Sequence, residues 1–138
     1  MIDLDNLDHT FVIAEAGSNW KKGSYEDDLK QAKEMIIVAA KSGADAIKFQ
    51  TFKAEKIVSI YADKADYQKE NTNSEETQFE MIKKLELDID AHKKLFQYCT
   101  KKQIKFISTP FDLDSIDFLS DLGVELFKIG SGEITNYP

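Results

Sequence analysis

Gly43-Ala44-Asp45-Ala46-Ile47-Lys48-Phe49-Gln50-Thr51-Phe52 is the stretch on which the fold turns. Its middle alternates as a strand does: Ile47 and Phe49 share one face, Lys48 and Gln50 the other. The split recurs in Phe127-Lys128-Ile129-Gly130, where Lys128 stands opposite two large apolar residues. Glu15, just past the apolar run Phe11-Val12-Ile13-Ala14, shares a face with Ile13, and Thr109 shares one with Ile107. If the apolar residues that alternate with the lysines face helices, then Lys48, Gln50 and Lys128 point to the other side, and Glu15 and Thr109 are expected there with them. They cluster near the C-terminal ends of their strands, where parallel α/β sheets bind ligands.

Working outward, helices separate these strands. Ser24 can cap the first, with Asp27 three residues on, and Leu29, Ala32, Ile36 and Ala39/Ala40 recur at helical spacing until Gly43 ends it. Residues 44–51 form the second strand, and a polar stretch follows through residue 73. Ser74 starts a short helix carrying Phe79, Ile82 and Leu85 on one face. Asp88 caps another, with Leu95, Phe96 and Cys99. The third strand is 104–108. Leu113, Ile116, Leu119 and Leu122 define a helix that stops at Gly123, and 124–129 is the fourth strand.

Alternating strands and helices predict βαβ units around a parallel sheet. Two closures fit: a doubly wound open sheet, or a (β/α)8 TIM-type barrel, which needs about 250 residues. Four strands are half a barrel. A doubly wound sheet covers both faces with helices and leaves two lysines with nowhere to go. A barrel whose mouth holds an anion gives them a reason, because a buried ammonium needs a carboxylate or phosphate partner. Structural pairing of Lys48 or Lys128 with Glu15 or Glu133 is the plainer alternative for either lysine alone.

Composition narrows the function classes. The chain has 138 residues, one domain at most, and 25 acidic against 18 basic side chains give a formal charge of −7. A sequence pI near 4.8 argues against a general nucleic-acid binder. No apolar run approaches the roughly 18 residues of a membrane span, and the N-terminus lacks signal-peptide order. Cys99 is alone, which rules out an internal disulfide and fits a cytoplasmic location. Cys99 reads as a core thiol, and His9 and His92 as solvated surface residues. Trp20 is open between loop packing and a pocket wall. Gly130-Ser131-Gly132 is open between a simple turn and an amide nest for phosphate. Lys64 to Glu76 reads as a solvated loop.

Four ordered blocks carry a resemblance: Ile13-Ala14-Glu15-Ala16-Gly17-Ser18-Asn19, then the stretch from Gly43 to Phe52, then Ser108-Thr109-Pro110-Phe111-Asp112, then the run from Phe127 to Asn136. Together they resemble the N-terminal barrel of the sialic acid synthase family, which includes N-acetylneuraminate, legionaminate and pseudaminate synthases. Tyr67-Gln68-Lys69 and Glu80-Met81 with Leu85-Glu86-Leu87 are similar to the same family's region after its second strand.

The resemblance implies a (β/α)8 barrel followed by a small antifreeze-like domain. Residues 1–138 are then the N-terminal portion with the first four strands, and the second half of the barrel and the antifreeze-like domain are absent. It also implies condensation of phosphoenolpyruvate with an N-acetylated hexose such as N-acetylmannosamine, with phosphate release, in a homodimer. By motif, Lys48, Gln50, Thr109, Lys128 and Ser131 would hold phosphoenolpyruvate, Asn73 and Phe111 would line the site, and Glu15 and Glu133 would be its acidic groups. A divalent metal, Mn2+ or Mg2+, belongs to the family, with histidine ligands in the second half of the barrel and none in this chain, so residues 1–138 alone are expected not to make the product. Neither nucleic acid nor membrane is an expected partner. Asn19-Trp20 departs from the family's usual Asn-His. Two alternatives stand beside this one: a Schiff-base aldolase acting through Lys48 or Lys128, and a non-catalytic half-barrel that associates with itself or a partner chain.

Overall fold

The computed structural model describes residues 8–60 and 77–135. Three parallel strands, β1 (Ile13–Gly17), β2 (Ala46–Thr51) and β3 (Lys105–Pro110), lie in the order β1-β2-β3. Helix α1 (Tyr25–Lys41) joins the first two. Between β2 and β3 come α2 (Ala54–Ile57), α3 (Gln78–Lys84) and α4 (Ile89–Lys101), and α5 (Leu113–Leu122) follows β3. No described helix is long and apolar enough to cross a membrane.

Local chemistry accounts for the boundaries. Ser24 caps α1 by accepting from the Asp27 amide at 3.2 Å. Gly43 takes φ +79°, and the Ala44 amide turns back to the Ala39 carbonyl at 3.1 Å. Gly123 closes α5 the same way, with φ +87° and Val124 N on Leu119 O at 3.0 Å. The cap of α3 is Thr77, in a reciprocal capping box with Glu80. The expected start at Ser74 lies outside the described residues.

The fourth strand is the main correction. Between 124 and 129 only Phe127 bridges to Ser108, and the Lys128 amide donates to the Ser108 carbonyl at 3.1 Å. Val124 is tied up in closing α5, and Ser131–Ile134 coils into a 3-10 turn, so little backbone remains to pair. The first strand also begins two residues later than the apolar run suggested, at Ile13.

Helices α1, α4 and α5 pack on one face of the sheet. Ala32, Ile36 and Ala39 meet Leu95, Cys99 and Leu119 over Ile47, Phe49 and Phe106. The Phe49 and Phe106 rings stack at 5.4 Å. Burying such side chains supplies about 1.5–3 kcal/mol each.

His92 belongs to this core, against the expectation of a surface residue. It is 1% exposed, edge-on to Phe118 at 5.3 Å, and stands three, four and seven residues before Leu95, Phe96 and Cys99, on their stripe. Its Nδ1 faces the Asp88 carbonyl at 2.9 Å and its Nε2 meets Thr51 Oγ1 at 2.8 Å.

Burial pushes the His92 imidazole below its ordinary value of 6.5. The unfolded chain therefore takes up a proton on acidification before the folded chain does. Stability from this group is complete above pH 6.5 and declines below it, by at most about 1.4 kcal/mol per pH unit down to the folded value. His9 works oppositely: hydrogen bonds to Asp8 and Asp45 raise its pKa, so its contribution fades as pH rises. Comparing the protein with its His92→Gln variant isolates the first effect. The gap in thermal midpoint is expected to narrow from pH 7.5 to 5.5; a constant gap would contradict a buried neutral imidazole.

Candidate functional site

Parallel register assembles the site. Glu15 pairs with Lys48 across β1 and β2, and Gln50 with Thr109 across β2 and β3. Partners in register project to the same side, so these four side chains share the face turned away from α1, α4 and α5.

Lys48 is 9% exposed, and its Nζ donates to Glu15 Oε2. The structural pairing weighed for Lys48 is therefore realised, but the partners are unequal. The Lys48 side chain is 11% exposed and that of Glu15 is 51% exposed. A nearly buried ammonium needs an anion beside it. A half-exposed carboxylate parts from its partner at small cost, since exposed ion pairs net roughly 0–1 kcal/mol. Lys48 is the fixed charge and Glu15 the exchangeable one. The sheet is irregular between Glu15 and Gly17, where Gly17 takes φ +52° and a Cβ would lie 3.4 Å from Glu15 Oε1.

The second rim lies past β3. The Phe111 amide donates to the Thr51 carbonyl at 3.1 Å, and its ring stands edge-on to Phe52 at 6.1 Å. Gly130 is where three site residues converge. A Cβ there would stand 3.3 Å from Phe111 Cε1, 3.5 Å from Glu133 Cγ and 3.8 Å from Thr109 Cγ2. Glu133 lies in the Ser131–Ile134 turn, its amide on the Gly130 carbonyl at 3.1 Å. The backbone of Gly130-Ser131-Gly132 leads into the 3-10 turn Ser131–Ile134. Lys128 is exposed and tied by its backbone to Ser108; Ser131 is exposed beside Gly130. Asn73 lies outside the described residues.

Other candidates resolve by burial. Burial pushes the Cys99 thiol up to about 12, as a core thiol requires. Trp20 is 3% exposed, belongs to the core cluster with Ala16 and Leu87, and also lines a small cavity with Lys21, Asp28 and Glu86, so it both packs and forms a wall. His9 Nε2 meets Asp45 Oδ1 at 2.8 Å, before the start of β2 and remote from Gln50 at its end. Among the described residues no group of three or more His, Cys, Asp or Glu side chains could hold a metal ion. With Glu15 engaged by Lys48, a metal does not fit the described donors by themselves.

Two residues escaped the sequence reading. One is His92. The other is Asp28, 6% exposed, which accepts from Lys21 Nζ at 2.5 Å, the Lys22 amide at 2.6 Å and the Gly23 amide at 2.9 Å. Burial works to raise its pKa, but Lys21 and the two amides hold the carboxyl below its ordinary value. It clasps the loop between β1 and α1. The signal was there: Asp28 precedes Ala32 and Ile36 at four-residue steps.

Residues 35–138 match the NeuB family. The chain is 52% identical over 129 residues to the N,N'-diacetyllegionaminic acid synthase of Campylobacter jejuni, covering 94% of this chain and 37% of that protein. It is 51% identical over 128 residues to the synthase of the same name from Legionella pneumophila, covering 93% and 35%. Against the N-acetylneuraminic acid synthetase structure from Leptospira borgpetersenii the TM-score is 0.74 at 33% identity, covering 96% of this chain and 42% of that one. The chain thus spans about a third of the length of these two curated relatives.

The convergence at Gly130 is open to a direct check. Gly130→Val adds a branched side chain where even a Cβ is tight, and overpacking costs typically about 1–3 kcal/mol. The expected outcome is a lowered denaturant midpoint at unchanged m-value. A neutral Gly130→Val would mean that Phe111, Glu133 and Thr109 do not meet there.

Proposed function

The chain belongs to the NeuB family, and from that premise we propose that the protein condenses phosphoenolpyruvate with an N-acetylated hexose of the N-acetylmannosamine type, forming a nonulosonic acid and releasing phosphate. Named relatives that make legionaminic and neuraminic acids support the product class. The observation that carries the reading is Lys48: a nearly buried ammonium, beside Gln50 and Thr109 at strand ends, whose carboxylate partner is half exposed.

Phosphoenolpyruvate carries both a phosphate and a carboxylate. Its arrival next to Lys48 supplies the anion that Glu15 otherwise provides and releases Glu15. C3 of the enolpyruvate forms a bond to the aldehyde carbon of the sugar, whose C=O electron pair moves onto the sugar oxygen; that oxygen takes a proton and becomes a hydroxyl, leaving C2 cationic. Water adds its oxygen to C2 and gives up a proton, forming a C2 hydroxyl. The bond from C2 to the phosphate oxygen then breaks, phosphate departs with the bonding electrons, and the C2 hydroxyl loses its proton to become the keto group. Lys48 and Lys128 would stabilise negative charge on the departing phosphate. Glu15, once released, or Glu133 would position the water and take its proton. Gln50, Thr109 and Ser131 would hydrogen-bond the anion, and Asn73 and Phe111 would line the cavity.

The proposal extends to architecture: the β1-β2-β3 sheet as part of a (β/α)8 barrel, acting in a homo-oligomer. A divalent metal of the kind the family uses would need donors other than the described ones. A Schiff-base aldolase using Lys48 or Lys128 is not favoured, because the named relatives are synthases. A non-catalytic role is not favoured for the same reason.

The test is substitution in the complete protein. Changing Lys48 or Lys128 to Met is expected to cut kcat/KM for phosphoenolpyruvate by about 10²–10³-fold, the usual effect of deleting one preorganised charge-stabilising group. Circular dichroism should stay unchanged. Arginine is no safe control, since its planar fork fills the space differently. Normal steady-state kinetics in Lys128→Met would remove Lys128 from the site, and in Lys48→Met would remove the central observation.

A further inference from the structure

We propose that His92 is a positioning residue: through the Thr51 and Ser108 hydroxyls it fixes, from behind the sheet, the two strand ends from which Phe111 and Lys128 hang. The inference rests on the phosphoenolpyruvate reading for its kinetic consequence, but not for its geometry.

The relay has a direction. The Asp88 carbonyl can only accept, so His92 Nδ1 carries the ring hydrogen across the 2.9 Å contact. Nε2 is then an acceptor and takes the Thr51 hydroxyl hydrogen at 2.8 Å. Thr51 Oγ1 in turn accepts from Ser108 Oγ at 2.7 Å. One carbonyl at the start of α4 thus orders three side chains on two strands. Each polar hydrogen has its acceptor, and no described buried side-chain nitrogen or oxygen lacks a partner.

The backbone carries the effect forward. Thr51 O accepts from Phe111 N at 3.1 Å, and Ser108 O accepts from Lys128 N at 3.1 Å. Thr51 and Ser108 therefore hold the relay with their side chains and two site residues with their carbonyls. Their neighbours Gln50 and Thr109 project to the opposite, site-facing side. Stability alone does not call for such a chain. Replacing hydrogen-bonded buried partners with apolar groups of the same shape is often nearly neutral. What a hydrogen-bonded relay adds is direction and register.

In the complete protein, His92→Leu and the near-isosteric Thr51→Val break the relay, and His92→Gln restores an acceptor toward Thr51. Two readouts are taken: amide hydrogen exchange at Phe111 and Lys128, with Asp45 at the far end of the sheet as reference, and KM for phosphoenolpyruvate against KM for the N-acetyl sugar. The expected result is at least about a tenfold faster exchange at Phe111 and Lys128 relative to Asp45, and a similar rise in KM for phosphoenolpyruvate alone, both largely reversed in His92→Gln. Exchange that stays unchanged, or rises uniformly along the chain, overturns the positioning role. So does an equal rise in both KM values. If His92→Leu fails to fold, Thr51→Val decides. If the parent protein consumes no phosphoenolpyruvate, the functional proposal fails, while the exchange measurement still decides for or against the relay.

Discussion

An ammonium group sunk into a sheet must have an anion, and Lys48 sets that requirement at the centre of this molecule. Its strand, β2, is flanked on both sides, so its side chain has no edge to escape along. The effective penalty of taking an ion out of water is several kcal/mol even after relaxation. Parallel register answers it by setting Glu15 directly beside Lys48. The unequal exposure of the pair leaves the answer revisable: the anion can change while the cation stays.

Everything behind β2 serves to hold that strand still. Ile47 and Phe49 are clamped under α1 and α4, and Phe49 stacks on Phe106 of β3. Thr51, the last residue of the strand, is tied to α4 through His92 and to β3 through Ser108. The Asp28 clasp, in turn, fixes the loop that follows β1. One face of β2 is thus committed to packing and the other to charge. That division places a nearly buried lysine beside its carboxylate partner, Glu15.

Much of this was legible in the sequence, for identifiable reasons. Alternation of Ile47 and Phe49 against Lys48 and Gln50 gave the faces of β2, and the Ser24 and Gly43 signals gave the limits of α1, because both depend on local geometry alone. The fourth strand was over-read, because an apolar run does not reveal that Val124 is spent on the cap of α5. Helix α2 hid in a polar stretch since four residues carry no period. His92 was misjudged because its polarity was weighed ahead of its position, and Asp28 was passed over; each sits on an apolar stripe, where a polar side chain must be bonded. At the site, strand alternation found Glu15, Lys48, Gln50 and Thr109. The approach of Phe111 and Glu133 to Thr109 around Gly130 depends on loop geometry that no period encodes.

The account is tested most directly by a crystal structure of the complete protein with phosphoenolpyruvate bound. It predicts a phosphate or carboxylate oxygen of the ligand within about 3.2 Å of Lys48 Nζ, with Glu15 turned away from that ammonium. Phosphoenolpyruvate bound elsewhere, with the Lys48–Glu15 pair intact, would contradict it.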